Sequence, residues 1–242
     1  MAQFHLEIAG QVAQVTTLFE STPHHFARYL THREPDFSIT VTREDLAFEQ
    51  HDADAEAAEE GFRQRNFPEP FLERAAIQRS FAEHLLERNT VLLHGSTLAL
   101  DKQGYLFTAR SGTGKSTHTR LWRDYFGSRV QMVNDDKPFA KLSSEGITVW
   151  GSPWSGKHGL DTNVSVPLAG MCLLERGSEN IIRPAAPEEL KDLLKGFRPR
   201  TAEQSAQYDR LLNELVSRVP LWHMSCNKNP EAAQVAFETM SK

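Results

Sequence analysis

The segment YLFTARSGTGKSTHTRLW, residues 105–122, constrains the fold more than any other part of the chain. An apolar run leads into a Gly-Thr-Gly turn, after which Lys115 and Ser116 open a pattern with helical character. Glycines at 112 and 114 can adopt positive φ, so that successive backbone N–H groups converge on phosphate oxygens. The helix after the turn would add the positive end of its dipole. The segment therefore predicts a strand, a phosphate-binding loop and a helix, in that order.

This loop departs at one position from the usual pattern of Gly, four residues and Gly-Lys-Ser/Thr, because its first residue is Ala109. Within it, Lys115 is expected to reach the β- and γ-phosphates of ATP and the Ser116 hydroxyl to bind Mg²⁺. The alternative is a glycine-rich turn before a helix that binds nothing. The residues predicted to bind the nucleotide are Ser111, Gly112, Thr113, Gly114, Lys115, Ser116 and Thr117.

An acidic pair follows in VQMVNDDKP, residues 130–138, where an apolar strand is predicted to deliver Asp135 and Asp136 together at its end. One carboxylate there can hold a metal ion, and a second can accept the proton of a substrate hydroxyl. Because adjacent carboxylates repel each other, the proton affinity of one of them can be tuned. The alternative is an acidic turn before Pro138.

Two further places are candidates for the same site. His94, in LLHGS, is expected to end a strand that lies beside the one feeding the loop, near the γ-phosphate or the base. The alternative is a packed histidine at a strand end. The glycine-punctuated segment GSPWSGKHGL, residues 151–160, is predicted to be a loop in which Lys157 supplies charge to the transferred phosphate and Trp154 a wall for the substrate. The alternative is a loop in solvent.

The bulk properties of the 242-residue chain limit its function class. Apolar residues make up 39% and charged residues 24%, which is ordinary for a soluble globular protein. With a net charge of −5, no global positive field attracts nucleic acid or anionic lipid. No segment approaches the ~20 apolar residues of a membrane span, and the N-terminus lacks the pattern of a signal peptide. Cys172 and Cys226, far apart, favour a reduced, cytoplasmic protein.

The pattern along the chain predicts a small N-terminal α+β region, residues 1–89, followed by a core, residues 90–242, with helices at its C-terminal end. A hairpin is expected around Gly10, and residues 43–62 should form a poorly amphipathic helix that is exposed or mobile. A stripe starting at Phe71 predicts the first strong amphipathic helix. TVLLHGSTLALDKQGYLFTA is predicted to form two antiparallel strands.

The sequence LLHGSTLALDKQGYLFTARSGTGKST, taken with VNDDKP, resembles the HPr kinase/phosphorylase family and, more distantly, the ATP-dependent phosphoenolpyruvate carboxykinases that share its nucleotide core. The likeness covers residues 90–175. It implies an α/β fold with a P-loop nucleotide-binding core and a mixed, partly antiparallel sheet. By position it implies Asp135 as general base and Asp136 as metal ligand, in either order, with His94 nearby.

As a whole, the chain is similar to the small HPr-kinase-related proteins of bacteria. That similarity implies an ATP- and Mg²⁺-dependent kinase whose acceptor is a hydroxyl of a peptide or small molecule. The Glu-x-Arg-Gly segment of the larger family has no match here, which argues against a true HPr protein kinase/phosphorylase. A non-catalytic nucleotide-binding regulatory module is the other alternative. The sequence leaves open the acceptor, the choice between ATP and GTP, and whether the chain forms a homo-oligomer.

Overall fold

The computed structural model describes residues 1–242, the side chain of Glu60 excepted, and shows a mixed α/β fold. The chain divides into two compact units, Met1–His84 and Leu85–Lys242. Among the described residues, no helix combines the length and the apolar character needed to cross a membrane.

The first unit begins with a three-stranded sheet. Strands β1 (Ala2–Ile8) and β2 (Gln11–Thr17) form the expected hairpin, and β3 (Phe37–Thr40) runs parallel to β2 at its other edge. Ala9 and Gly10 both have positive φ, 53° and 75°, which suits the tight turns that join twisted strands. A short helix α1 (Thr22–His25) and a 3₁₀ turn lie between β2 and β3.

Helix α2 (Arg43–Glu60) forms and is poorly amphipathic, as predicted, but it is not exposed all round, because Leu46 and Glu49 on its inner face are buried. Its Glu49 is only 6% exposed and receives two hydrogen bonds, of 2.6 and 2.9 Å, from the buried guanidinium of Arg79 on helix α3 (Glu69–Leu86). Asp52 accepts a third bond from Arg79. The inner face of α2 is thus partly ionic, and a search for an apolar stripe does not detect such a face.

Helix α3 forms as its pattern predicts, with one difference in the stripe. Phe71 is 45% exposed and stacks on Phe67, at 4.9 Å between ring centroids. The buried face begins one residue later, at Leu72, and continues through Ala76 and Ile77.

The second unit is built on a nine-stranded mixed sheet. The order along its main path is β4-β8-β9-β10-β6-β5-β7, and β12 pairs with β10 on one side and β11 on the other. Strand β10 is parallel to β6 and to β12, whereas β5 is antiparallel to both of its neighbours. The strands are β4 Thr90–Leu92, β5 Ser96–Leu100, β6 Gln103–Thr108, β7 Val130–Asn134, β8 Phe139–Leu142, β9 Ile147–Trp150, β10 Ser165–Arg176, β11 Ile181–Pro184 and β12 Leu221–Cys226.

Helices cover both faces of this sheet because its central strands are apolar on both sides. Side chains of α4 (Lys115–Phe126) and α7 (Glu231–Met240) pack with Tyr105 and Phe107 on one face. Side chains of α6 (Ala202–Arg218) pack with the intervening Leu106 on the other. Trp122 of α4 is fully buried among aromatic rings and belongs to the core.

Three details of this unit differ from the sequence expectation. TVLLHGSTLALDKQGYLFTA forms three strands instead of two, because β4 and β5 are separate. Strand β11 has no predicted counterpart. In the region expected to carry the C-terminal helices, the segment PEELKDLLKGF forms only a four-residue helix α5 (Pro187–Leu190) and a 3₁₀ turn, after which Gly196 N–H donates to the Tyr208 hydroxyl of α6.

Candidate active site

Strand directions bring the loop after β6 and the acidic pair after β7 to one edge of the sheet. Both strands are antiparallel to β5, which lies between them, so both end at the edge where β5 begins. Neighbouring strands are about 4.8 Å apart, which places the ends of β6 and β7 about 10 Å from each other. The carboxyl ends of strands are the usual position of ligand sites in open α/β sheets.

The loop between β6 and α4 depends on two glycines for its conformation. Gly112 has φ 73° and Gly114 φ 131°, in the region that side chains disfavour. A Cβ at Gly112 would meet no atom within 4 Å, so the glycine is needed for conformation and not for space. Thr113 N–H closes a turn on the Arg110 carbonyl at 3.2 Å, and His118 N–H begins α4 by donating to Gly114. Ser111 is exposed, and Ser116 and Thr117 are half-buried in the first turn of α4.

Arg176, at the end of β10, holds this loop from the side of β12. Its Nε donates to the Thr113 carbonyl at 3.1 Å and its Nη2 to the Gly112 carbonyl at 2.5 Å. In a trans peptide the C=O and the following N–H point in opposite directions. With the Thr113 carbonyl fixed on Arg176, the N–H of Gly114 points away from the guanidinium. Arg176 therefore fixes the direction of a peptide group that a phosphate could use.

Lys115 is the first residue of α4, directly after the loop, and its ammonium donates to the Ala109 carbonyl at 3.1 Å. His94 lies near it. The pKa of His94 is lowered to about 3 by burial and then by the positive charges of Lys137 and Lys115, so its imidazole is neutral at pH 7. The expectation for the strand before His94 was wrong, because β4 pairs with β8. It is β5, the strand after His94, that lies beside β6.

Asp135 is the more buried member of the acidic pair, with 3% of its surface exposed. Its Oδ1 accepts the N–H of Gly156 at 2.7 Å, and its Oδ2 is buried with no hydrogen-bond partner among the described residues. Burial raises the pKa of Asp135, and the neighbouring charge of Asp136 acts in the same direction. A Cβ on Gly156 would be 3.2 Å from Oδ2, so a glycine lets the backbone approach this carboxylate.

Asp136 is more accessible, and its Oδ1 lies 3.6 Å from Nε2 of His94. Asn134 fixes the turn that carries both acids, because its Oδ1 accepts the N–H of Asp136 at 2.7 Å and of Lys137 at 2.6 Å. The Asn134 amide in turn donates to the Ser152 carbonyl at 2.8 Å. This side chain thereby ties the acidic turn to the segment 151–160.

The segment 151–160 contacts the acidic pair more through its backbone than through the side chains of Trp154 and Lys157, which were expected to act on phosphate and substrate. Trp154 is 8% exposed and contacts Phe139 edge-to-face, so it belongs to the core. Lys157 and His158 are exposed, and the charge of His158 lowers the pKa of Asp135 as one of its smaller influences. Lys157 follows directly on Gly156, which contacts Asp135.

The residues present fit a magnesium ion of the kind that accompanies nucleotides. Among the described residues, no three His, Cys, Asp or Glu side chains are grouped so as to hold a metal by themselves. Mg²⁺ in nucleotide sites usually takes one or two protein oxygens, with phosphate and water completing the shell. The Ser116 hydroxyl and the Asp136 carboxylate are the oxygens of the predicted set, and Asp135 adds a buried carboxylate oxygen without a partner.

Comparison with known proteins adds little to this geometry. No protein-family model matches the chain, and neither does any curated protein. Among solved structures, the Hpr(Ser) kinase/phosphatase from Coxiella burnetii aligns over 51% of this chain and 95% of its own. The two share 16% of aligned residues, with a TM-score of 0.30. A likeness this slight carries no inference about function.

Four residues of the site were missed in the sequence. Asn134 had a local signal, since Asn favours turns in which its side chain bonds the backbone two residues on. Gly156 lay in a loop already singled out by its glycines. Lys137, whose ammonium donates to the Gly196 carbonyl at 2.9 Å, was part of the quoted acidic motif without a role. Arg176 had no signal, because it reaches the loop from a strand about 60 residues further on.

Proposed function

We propose that this chain is an ATP- and Mg²⁺-dependent kinase that transfers the γ-phosphoryl group to a hydroxyl of a peptide or small molecule. The single observation that carries the proposal is the convergence of the glycine loop and the acidic pair at one sheet edge, with His94 3.6 Å from Asp136 and within the electrostatic influence of Lys115. A loop that binds triphosphate beside two carboxylates has the parts that phosphoryl transfer requires.

In this proposal the chain acts mainly by positioning and by charge. The loop amides and Lys115 hold the β- and γ-phosphates, and Ser116 and Asp136 hold the magnesium ion, which neutralises phosphate charge when bound. As the acceptor oxygen bonds to the γ-phosphorus, the bond to the bridging oxygen breaks and ADP leaves. Asp135 takes the proton of the acceptor hydroxyl, and the burial that raises its pKa suits that role. Lys157 supplies positive charge at the entrance of the site. In the alternative assignment the two aspartates exchange roles, with Asp136 as the base and Asp135 as the metal ligand.

The test is transfer of radiolabelled phosphate from ATP to candidate peptides, serine and sugars. Asp135→Asn is expected to reduce turnover by about 10²–10⁴-fold, the usual contribution of a general base, with ATP still bound. Lys115→Ala should weaken ATP binding itself. Asp124→Asn, on the exposed side of α4, is the matched control and should leave both unchanged. If Asp135→Asn retains near-native turnover, the assignment of Asp135 as the general base is wrong.

A regulatory nucleotide-binding module is the second candidate, and one observation favours it. The Asp135 Oδ2 atom is buried under Gly156, so an acceptor hydroxyl reaches it only after the segment 151–160 moves. For a module of this class, ATP binds at micromolar concentration and no labelled product forms with any acceptor, water included. Transfer to any hydroxyl compound excludes it.

A further inference from the structure

Lys137 is the residue of the acidic motif to which the proposed function gives no role. It follows Asp136 directly, in the turn between β7 and β8. Its backbone is held on both sides, because its N–H donates to Asn134 Oδ1 at 2.6 Å and its carbonyl accepts the Ser152 hydroxyl at 2.6 Å. The backbone that carries this lysine is therefore fixed relative to the two aspartates.

The turn pairs with the residues after β4, and this pairing puts Lys137 opposite His94. It continues the antiparallel register of β4 and β8. The two residues that flank His94 donate their N–H groups to the carbonyls of the two residues that flank Lys137, at 2.8 and 2.9 Å. Side chains directly opposite each other in an antiparallel pair lie on the same face, with Cβ atoms about 4.5–5.5 Å apart. The Lys137 and His94 side chains are thus neighbours.

His94 also borders the start of the glycine loop, which brings a second lysine to it. Its carbonyl accepts the Thr108 hydroxyl at 3.1 Å, and the carbonyl of the next residue, Ala109, accepts the Lys115 ammonium. The electrostatics agree with this placement, since the pKa of His94 is lowered most by burial and then by the charges of Lys137 and Lys115, in that order. Two ammonium groups from different segments therefore lie near one neutral imidazole.

The Lys137 ammonium has the capacity to bind an anion. It donates to the Gly196 carbonyl at 2.9 Å, and in the part of the chain that the structure describes it forms no ion pair with a carboxylate. An ammonium has three donors, which leaves two for an anion. The Gly196 carbonyl is itself fixed, because Gly196 N–H donates to the Tyr208 hydroxyl and a Cβ here would be 2.6 Å from the Leu92 carbonyl oxygen. Like charges held close together are typical of functional sites.

We propose that the Lys137 ammonium binds the terminal phosphate of the nucleotide, as a second cation beside Lys115. The proposal rests on the proposed function, which puts a triphosphate on the glycine loop with its γ-phosphate at the acidic pair. Lys137 follows Asp136 in the chain, so its charge acts at that end of the nucleotide. The turn between β7 and β8 thereby carries a residue that distinguishes a triphosphate from a diphosphate, because ADP has no phosphate at this position.

Two ligands that differ in the terminal phosphate test the proposal without turnover. Affinities for ADP and for the non-hydrolysable triphosphate adenylyl imidodiphosphate, each with Mg²⁺, are measured by calorimetry. Lys137→Met should weaken binding of the triphosphate about tenfold or more, the size of one charged hydrogen bond, and leave ADP within about twofold. Lys137→Arg, which keeps the charge, should retain most of the triphosphate affinity. Lys141→Met, at a half-buried lysine of β8, is the matched control and should change neither.

A purely structural role for Lys137, through its bond to Gly196, weakens both ligands alike. An equal loss for both in Lys137→Met, or no loss, therefore overturns the proposal and leaves the glycine loop as the nucleotide site. Binding of neither ligand to the unmodified chain overturns the proposed function as well. If Lys137→Met does not fold, acetylation of the unmodified chain by acetic anhydride decides, followed by mass spectrometry with Lys141 as internal reference. The triphosphate should slow acetylation of Lys137 more than ADP does, and equal rates overturn the proposal.

Discussion

In the part of the chain that the structure describes, Arg176 is the only side chain that donates hydrogen bonds to the carbonyls of Gly112 and Thr113. Replacing it by alanine removes this support of the loop. Two bonds are lost, of 2.5 and 3.1 Å, each from a charged donor. Such bonds contribute about 1.5–3 kcal/mol each when sheltered. Arg176 is exposed, so about 0.5–1 kcal/mol each is the appropriate figure after solvent screening. The sum of about 1–2 kcal/mol corresponds to ATP binding about five- to thirtyfold more weakly.

Calorimetric titration of Arg176→Ala with ATP and Mg²⁺ measures this loss. Arg183→Ala is the matched control, since Arg183 is also an exposed arginine with a two-bond contact, to Glu189, and does not touch the loop. Arg176→Lys keeps the charge but not the planar fork. If the guanidinium acts by fixing the peptide direction, Lys recovers little of the affinity. Full recovery by Lys would show that charge alone matters, and unchanged affinity of the alanine variant would refute the reasoning altogether.

Two further predictions follow from single contacts. Gly156→Ala places a Cβ 3.2 Å from Asp135 Oδ2, so turnover should fall about tenfold or more while ATP affinity, measured by calorimetry, stays within about twofold; unchanged turnover would exclude a role for this contact. Glu49→Ala should lower the free energy of unfolding in urea by about 3–5 kcal/mol, because the Arg79 guanidinium stays buried without its main partner; Glu56→Ala, exposed on the same helix, should cost less than about 0.5 kcal/mol, and equal losses would contradict this.

Local pattern was sufficient wherever neighbouring residues determine the conformation. The hairpin at Gly10 and the helix that begins at Lys115 were predicted and confirmed, as was the antiparallel pairing of β5 and β6. The turn between those strands has Asp101 and Lys102 both at positive φ, 51° and 66°. Turn residues and caps act within a few positions of chain, so the sequence displays them directly.

The errors have a common cause in pairing over long sequence separations. The strand before His94 is apolar, as predicted, yet its partner is β8 and not β6, and no local property of Thr90–Leu92 distinguishes these partners. Helix α2 was expected to be exposed or mobile because it is poorly amphipathic, yet its Glu49 is buried in an ion pair with Arg79 of α3. Charged residues are almost never fully buried unless they are paired, so a prediction from sequence, which does not see a partner on another helix, places such a residue at the surface.

The sequence by itself determined the glycine loop between β6 and α4, because two glycines with positive φ directly before a helix start fix the order of strand, loop and helix. It also placed the two aspartates at a strand end. Only the tertiary structure decided that both lie at the same edge, because that depends on β5 running between β6 and β7 in the opposite direction. The same holds for Arg176 on the loop carbonyls and for Gly156 on Asp135. Each is a contact between distant segments, created by packing and absent from any short stretch of the chain.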